Sequence, residues 1–351
     1  MRDFLCPDCG QRLAFENSLC LNCGNPLGFD LDTREFTVVG ADAAAVTGPP
    51  RRRCANVAIA CCNWLVRGDS ASALCRSCRL TRTRPSDEDS DGLPAFAQAE
   101  AAKRRLVFEL TELGLPIDED VAGSEHSLCF DLLSSRSEPV TTGHDSGVIT
   151  LDLAETDDLH REQLRISMDE PYRTLLGHFR HEIGHYYFPV LAEHGRARTQ
   201  FDALFGDADA DYQAALDRHY CDGAPQGWQT KYISAYATMH PAEDWAETFA
   251  HYLHIRDTVD TAAAFGFAPA GASADRPMAG DAGFDRLIDV WLPLSWALNM
   301  VNRSMGRPDL YPFVLPDAAL DKMRLVHNVI VGGRADGPDL SARSVAQQAA
   351  H

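Results

Sequence analysis

No run of 18 or more apolar residues occurs in this 351-residue chain, so no membrane-spanning helix is expected. The opening MRDFLCPDCG has no apolar signal region and runs straight into cysteines, which points away from secretion. Basic charge is scarce as well: 32 Lys and Arg face 51 Asp and Glu, a formal balance of −19. Phosphate contacts need clustered Lys and Arg, so broad nucleic-acid binding is disfavoured. The deficit is uneven, because residues 1–85 carry 11 basic against 8 acidic side chains and the acid excess lies beyond them. No internal repeat is visible apart from paired cysteines.

Cysteine is crowded at one end, with nine of the 11 falling before residue 80. Such density means disulfides or metal, and C-x-x-C spacing in a chain without a secretion signal favours metal in a reducing cytoplasm. Cys6 and Cys9 form one knuckle, and Cys20 and Cys23 a second ten residues later. Gly10 and Gly24 follow the two knuckles and let the backbone fold around the sulfurs. Four thiolates in this spacing suit a closed structural zinc, although a rubredoxin-type iron would use the same ligands. Cys75 and Cys78 make a third knuckle. Cys54 and one of Cys61 or Cys62, with Cys62 assigned, complete a second site. The alternative for Cys54, Cys61 and Cys62 is burial as small hydrophobes, which is also expected of Cys129 and Cys221.

The length suits two or three domains with a sizeable core. RTRPSDEDSDGLP (82–94) is polar, acidic and bracketed by prolines, as a linker would be. The apolar spacing of residues 95–114 predicts an amphipathic helix; HSLCFDLL and GVITLDL read as strands, and the pattern is mainly helical from about residue 170. The expected organisation is a double ribbon-like module over 1–85, a linker over 86–94, an α+β domain with a small sheet over 95–331, and a disordered tail over 332–351. Residues 268–283 are expected as a loop. Arg51–Arg53 reads as a solvated loop, and Trp64, Trp245, Trp291 and Trp296 as packing residues.

The chemistry concentrates in LGHFRHEIGHYY (176–187). His181 and His185 stand four apart in an H-E-x-x-H pattern, so on a helix both imidazoles reach one ion, with Glu182 placed to take a proton from water. Asp169 is a candidate cap for that helix, Pro171 falls in its first turn, and Pro189 is its candidate terminator. A catalytic zinc needs a third protein ligand and keeps one position for water. A third histidine six residues on is absent, since Leu191 stands there. MHPAEDWAETFAHYLHI (239–255) offers carboxylates instead: Glu243 and Glu247 lie four apart, so one can bind metal while the other accepts the N–H of a metal-bound histidine. Asp244 stands beside Glu243 as an alternative ligand. His178, His251 and His254 lie near these motifs in sequence, but no ligand spacing supports them, and each reads as a satisfied helix histidine.

The pairing of RTLLGHFRHEIGHYYF with SAYATMHPAEDWAETFAHYLHI, behind a cysteine-rich ribbon, resembles the bacterial zinc-binding metallopeptidases with an N-terminal zinc ribbon. LNMVNRSMGRPDLYPFVL (298–315) looks like that family's C-terminal signature. The chain is more distantly similar to the glutamate-ligand zincins that include the catalytic domain of anthrax lethal factor. The resemblance spans the first ribbon to about residue 330. It implies a zinc-ribbon module followed by a mainly helical zincin-like domain with a small sheet. It also implies a catalytic zinc on His181, His185 and Glu243, with Glu247 behind them, Glu182 as the base and Tyr236 supporting the oxyanion. The expected activity is zinc-dependent hydrolysis of a peptide or protein in the cytoplasm, with one catalytic zinc, two structural zincs and a protein partner admissible through the ribbon. The rival readings are a non-catalytic interaction module on the same scaffold and a hydrolase of a non-peptide amide.

Overall fold

The computed structural model describes residues 1–40, 50–117, 127–136, 139–167, 172–268 and 280–336. Short antiparallel pairs build its N-terminal part. They are β1 (Phe4–Leu5) with β2 (Arg12–Leu13), β3 (Leu27–Asp30) with β4 (Glu35–Val38), and β5 (Arg51–Arg53) with β6 (Leu65–Arg67). Helix α1 (Arg76–Arg79) follows, and β7 (Thr81–Thr83) leaves this part to join a larger sheet. The Arg51–Arg53 run is a strand, not a solvated loop, because Arg51 is tied to Asp30 at 2.6 Å and Asp32 at 2.9 Å.

The rest is a four-stranded sheet covered by helices, in keeping with the expected α+β class. Helix α2 (Gly92–Leu113) precedes β8 (Cys129–Leu133), β9 (Gly143–Asp145) and β10 (Val148–Asp152). The strand order is β7-β8-β10-β9, with β8 parallel to both β7 and β10 and β9 antiparallel on the edge. The segment expected as a linker therefore supplies β7 at its start and the first turn of α2 at its end. Seven more helices follow among the described residues: α3 (Asp158–Ser167), α4 (Leu175–Leu191), α5 (Gly195–Leu204), α6 (Tyr212–Asp222), α7 (Pro241–Ala264), α8 (Gly280–Ser304) and α9 (Asp317–Asp336). Of the expected loop 268–283, residues 280–283 open α8 and 269–279 lie outside the described residues. The expected tail begins inside α9, and its remainder from 337 lies outside them too. Among the described residues no helix is long and apolar enough to cross a membrane.

Helices α4 and α7 hold the centre together. The start of α4 differs from expectation: Thr174 caps it, its Oγ1 accepting from Gly177 N at 3.0 Å, while Asp169 and Pro171 lie outside the described residues. Pro189 does not end it, for the helix runs two residues further to Leu191. At the start of α7, His240 Nδ1 accepts from Ala242 N at 3.1 Å and Pro241 occupies the first helical turn, where its missing N–H costs nothing. Gly184 makes the crossing close, since a Cβ there would sit 3.0 Å from Ala246 Cα and 3.2 Å from its carbonyl oxygen. Trp245 Nε1 donates to Gly184 O at 2.9 Å across the same contact. Phe179, Ile183, Tyr187, Trp245 and Phe249 are fully buried around it. Trp64 and Trp291 are also core residues, but Trp296 is 66 % exposed, against the expectation of packing. Cys221 is exposed and Cys129 half-buried, against the expectation of burial for both.

Candidate metal centre

The close crossing brings three ligand atoms to one point. His181 and His185 share the inner face of α4, one turn apart, and Glu243 reaches them from the first turn of α7. Glu247, one turn along α7, lies 2.7 Å from His181 Nδ1. An ionised carboxylate only accepts, so Nδ1 carries the proton and Nε2 the lone pair. That Nε2 lies 3.2 Å from His185 Nε2 and 3.0 Å from Glu243 Oε2, and the third side of the triangle is 3.4 Å. Electron-rich atoms facing one another at this range call for a cation between them. Ligands at about 2.0–2.2 Å in tetrahedral array stand about 3.3 Å apart, so the triangle fits one zinc with a fourth position left over. Burial works against charge on Glu243, but the two histidines beside it hold it below the ordinary carboxylate range. Glu247 is likewise opposed by burial and held down to about 2 by His181. Asp244, the alternative ligand, points elsewhere: it pairs with Lys322 of α9 at 2.5 Å, buried.

Glu182 is buried beside the triangle, and its Oε1 lies 3.2 Å from His178 Nε2. The Tyr236 ring, in a 3-10 turn over Tyr236–Thr238, stands 6.0 Å from that of His181. Burial, with the charge of Glu243, pushes the Tyr236 phenol well up, so it stays protonated and able to donate. Three further residues reach the site. Tyr212 of α6 donates to Glu243 Oε1 at 2.9 Å. His144 of β9 stacks on His185, ring centroids 6.4 Å apart, and burial lowers it to about 4, which keeps it neutral. His178 also bonds Glu155 at 2.7 Å; burial opposes its charge, yet the carboxylates on either side raise it to about 9. His251 and His254 follow the plain expectation: His251 is buried against the Tyr311 hydroxyl at 2.8 Å, and His254 is wedged among Tyr172, Trp291 and Tyr311. His178 does not follow it.

The cysteines gather into two separate sets, Cys6, Cys9, Cys20 and Cys23, and Cys54, Cys62, Cys75 and Cys78. Sulfurs at about 2.3 Å around a tetrahedral zinc stand about 3.8 Å apart. The observed edges agree: 3.7 Å for Cys6–Cys23, 3.6 Å for Cys9–Cys20 and 3.7 Å for Cys62–Cys75. Cys62 is in the buried set, whereas Cys61 is exposed with a backbone φ of 47°.

Residues 92–329 match a family described as "Putative zinc-binding metallo-peptidase". The chain belongs to this family. Residues 3–89 match a zinc-ribbon domain, so the family's metallopeptidase region follows a ribbon here, and zinc binding is common to both halves. Uncharacterised proteins of Mycobacterium bovis and of two strains of Mycobacterium tuberculosis are each 62% identical to the chain over 331 residues, 94% of this chain and 95% of theirs. No solved structure matches. Within the family region, spacing in sequence reveals the α4 and α7 residues because each set lies on one helix. Tyr212, His144 and Glu155 arrive from other elements at no fixed spacing. His178 alone carried a signal, standing four residues before Glu182 on the same helix face.

Proposed function

We propose that the chain is a zinc-dependent peptidase acting on peptide or protein substrates. The triangle of His181, His185 and Glu243 with Glu182 at its side carries this reading. Those three residues would hold the catalytic zinc, and the two cysteine sets would hold structural zincs. Zinc, when bound, supplies a Lewis acid that polarises the scissile carbonyl and lowers the pKa of water toward neutrality. Glu182 takes the proton from the attacking water and returns it to the leaving amine. Tyr236 donates to the carbonyl oxygen as negative charge develops there, a contribution of about 3 kcal/mol in comparable sites. Glu247 fixes the tautomer of His181 so that Nε2 faces the metal. Thiols gathered for metal, with none paired as disulfides among the described cysteines, suit a reducing cytoplasm.

The test is cleavage of a diverse peptide library by zinc-loaded protein, read by mass spectrometry beside Glu182→Gln at equal zinc content. Cuts made by the wild type and reduced about 100-fold or more in the variant are expected, the usual scale for removing a general base. A fully metallated wild type that cuts nothing would overturn the reading and leave a non-peptide amide or a binding module.

A further inference from the structure

A side chain that must accept a proton from one defined direction needs something to hold it. Glu182 is a buried carboxylate on three rotatable bonds and is not one of the three residues grouped to hold the ion. On the same helix face, one turn earlier, stands His178, with Nε2 at 3.2 Å from Oε1. The other ring nitrogen, Nδ1, lies 2.7 Å from Glu155 Oε2. Neither carboxylate has a proton to give when ionised, so the ring donates from both nitrogens and forms a charge-assisted bond at each end.

Glu155 is itself anchored. It lies in a 3-10 turn over Leu153–Thr156 that follows β10, and is only 3% exposed. Thr142 Oγ1, just before edge strand β9, donates to Glu155 Oε1 at 2.9 Å, and Arg173, just before α4, donates to Oε2 at 3.3 Å. Arg161 Nη1 holds the Glu155 backbone carbonyl at 2.5 Å. The chain Thr142–Glu155–His178–Glu182 thus runs from the sheet edge to the metal centre without a gap.

We propose that His178 is a positioning residue, fixed by Glu155, that holds Glu182 by one oxygen and leaves Oε2 to take the proton. The proposal rests on the peptidase reading for the task of Glu182, but not for the placement of the ring. Losing a partner that orients a group at a metal site costs about 10–100-fold in activity or metal affinity. Here the loss belongs to activity alone, because His178 touches the base and not the ligand triangle's free atoms.

His178→Gln and Glu155→Gln test it on the full chain, with kcat, KM and bound zinc measured together. In both variants kcat is expected to fall about 10–100-fold with KM and zinc content unchanged. A second readout needs no activity. In protein labelled at histidine nitrogen, a slowly exchanging, far-downfield imidazole N–H proton is expected, absent in His178→Gln and lost in Glu155→Gln. Wild-type kcat in both variants, or zinc lost in step with kcat, would overturn the proposal. So would a wild type lacking that protected proton. Should zinc-loaded wild type cut no peptide, the peptidase reading falls, and the N–H proton alone decides whether Glu155 fixes the ring.

Discussion

Glu243 has two oxygens with different partners. Oε2 faces the histidine pair, and Oε1 accepts the phenol of Tyr212. Burial and the charge of Glu243 push the Tyr212 phenol up, so it remains a donor throughout the neutral range. The hydrogen bond keeps the carboxylate turned so that one oxygen, not both, faces the proposed metal position. A carboxylate that binds zinc through both oxygens would crowd the place where water and substrate must enter. Tyr212→Phe removes only the hydroxyl. The expected outcome is a fall in kcat/KM of about tenfold, the scale of one hydrogen bond to a charged group, with zinc still bound. Kinetics beside metal analysis check it, and a variant equal to wild type would show that the carboxylate needs no such restraint. Tyr212 could not be read from sequence because its partner lies 31 residues away and on another helix.

At the scale of elements, the two helices that carry the motif behave as one device. The helix crossing is set by the absence of a side chain at Gly184, whose neighbours across the contact are backbone atoms of Ala246 that cannot move aside cheaply. Gly184→Val gains helix propensity but forces α4 and α7 apart, and overpacking of this kind costs about 1–3 kcal/mol. His185 and Glu243 ride on opposite sides of that contact, so the separation also opens the ligand triangle. A lower unfolding midpoint and weaker zinc retention in a chelator competition are expected together; stability lost without any change in retention would uncouple the crossing from the site. Much of this device was legible beforehand. Histidines and glutamates four apart mark helix faces, and the strands at β8 and β10 announce themselves by apolar runs. What was not legible is short or depends on tertiary pairing. β7 is three residues that open a polar stretch, just ahead of Pro85, and exists because β8 pairs with it. β9 is a three-residue edge held by β10, and His144 comes to the site only through that pairing. The boundaries of α4 were misplaced for a related reason: Thr174 caps the helix although acidic and proline signals stand earlier in the chain.

Across the whole molecule, the ribbon is not a bead on a string. Phe4, Phe15 and Phe29 of the N-terminal part gather around Phe108 of α2, with ring centroids 6.2, 5.2 and 5.7 Å away. The second cysteine set leans on the same helix, with Cys78 Sγ 3.8 Å from Glu100, which pairs with buried Lys103 at 2.5 Å and bonds Thr81 of β7. Arg2 and Arg34 both pair with Glu112, and Arg105 pairs with Glu16 across the same junction. An apolar core shared in this way makes the two parts one cooperative unit, since neither can open without exposing the other's aromatic surface. Phe108→Ala deletes the ring that α2 contributes, a change that costs about 3–5 kcal/mol in a packed core. If the coupling holds, the helical signal by circular dichroism and the protection of the cysteines from a thiol reagent are lost at one lowered temperature. Two separated transitions, with thiols exposed well before the helices melt, would mean that the ribbon unfolds on its own and that α2 belongs to the helical part alone.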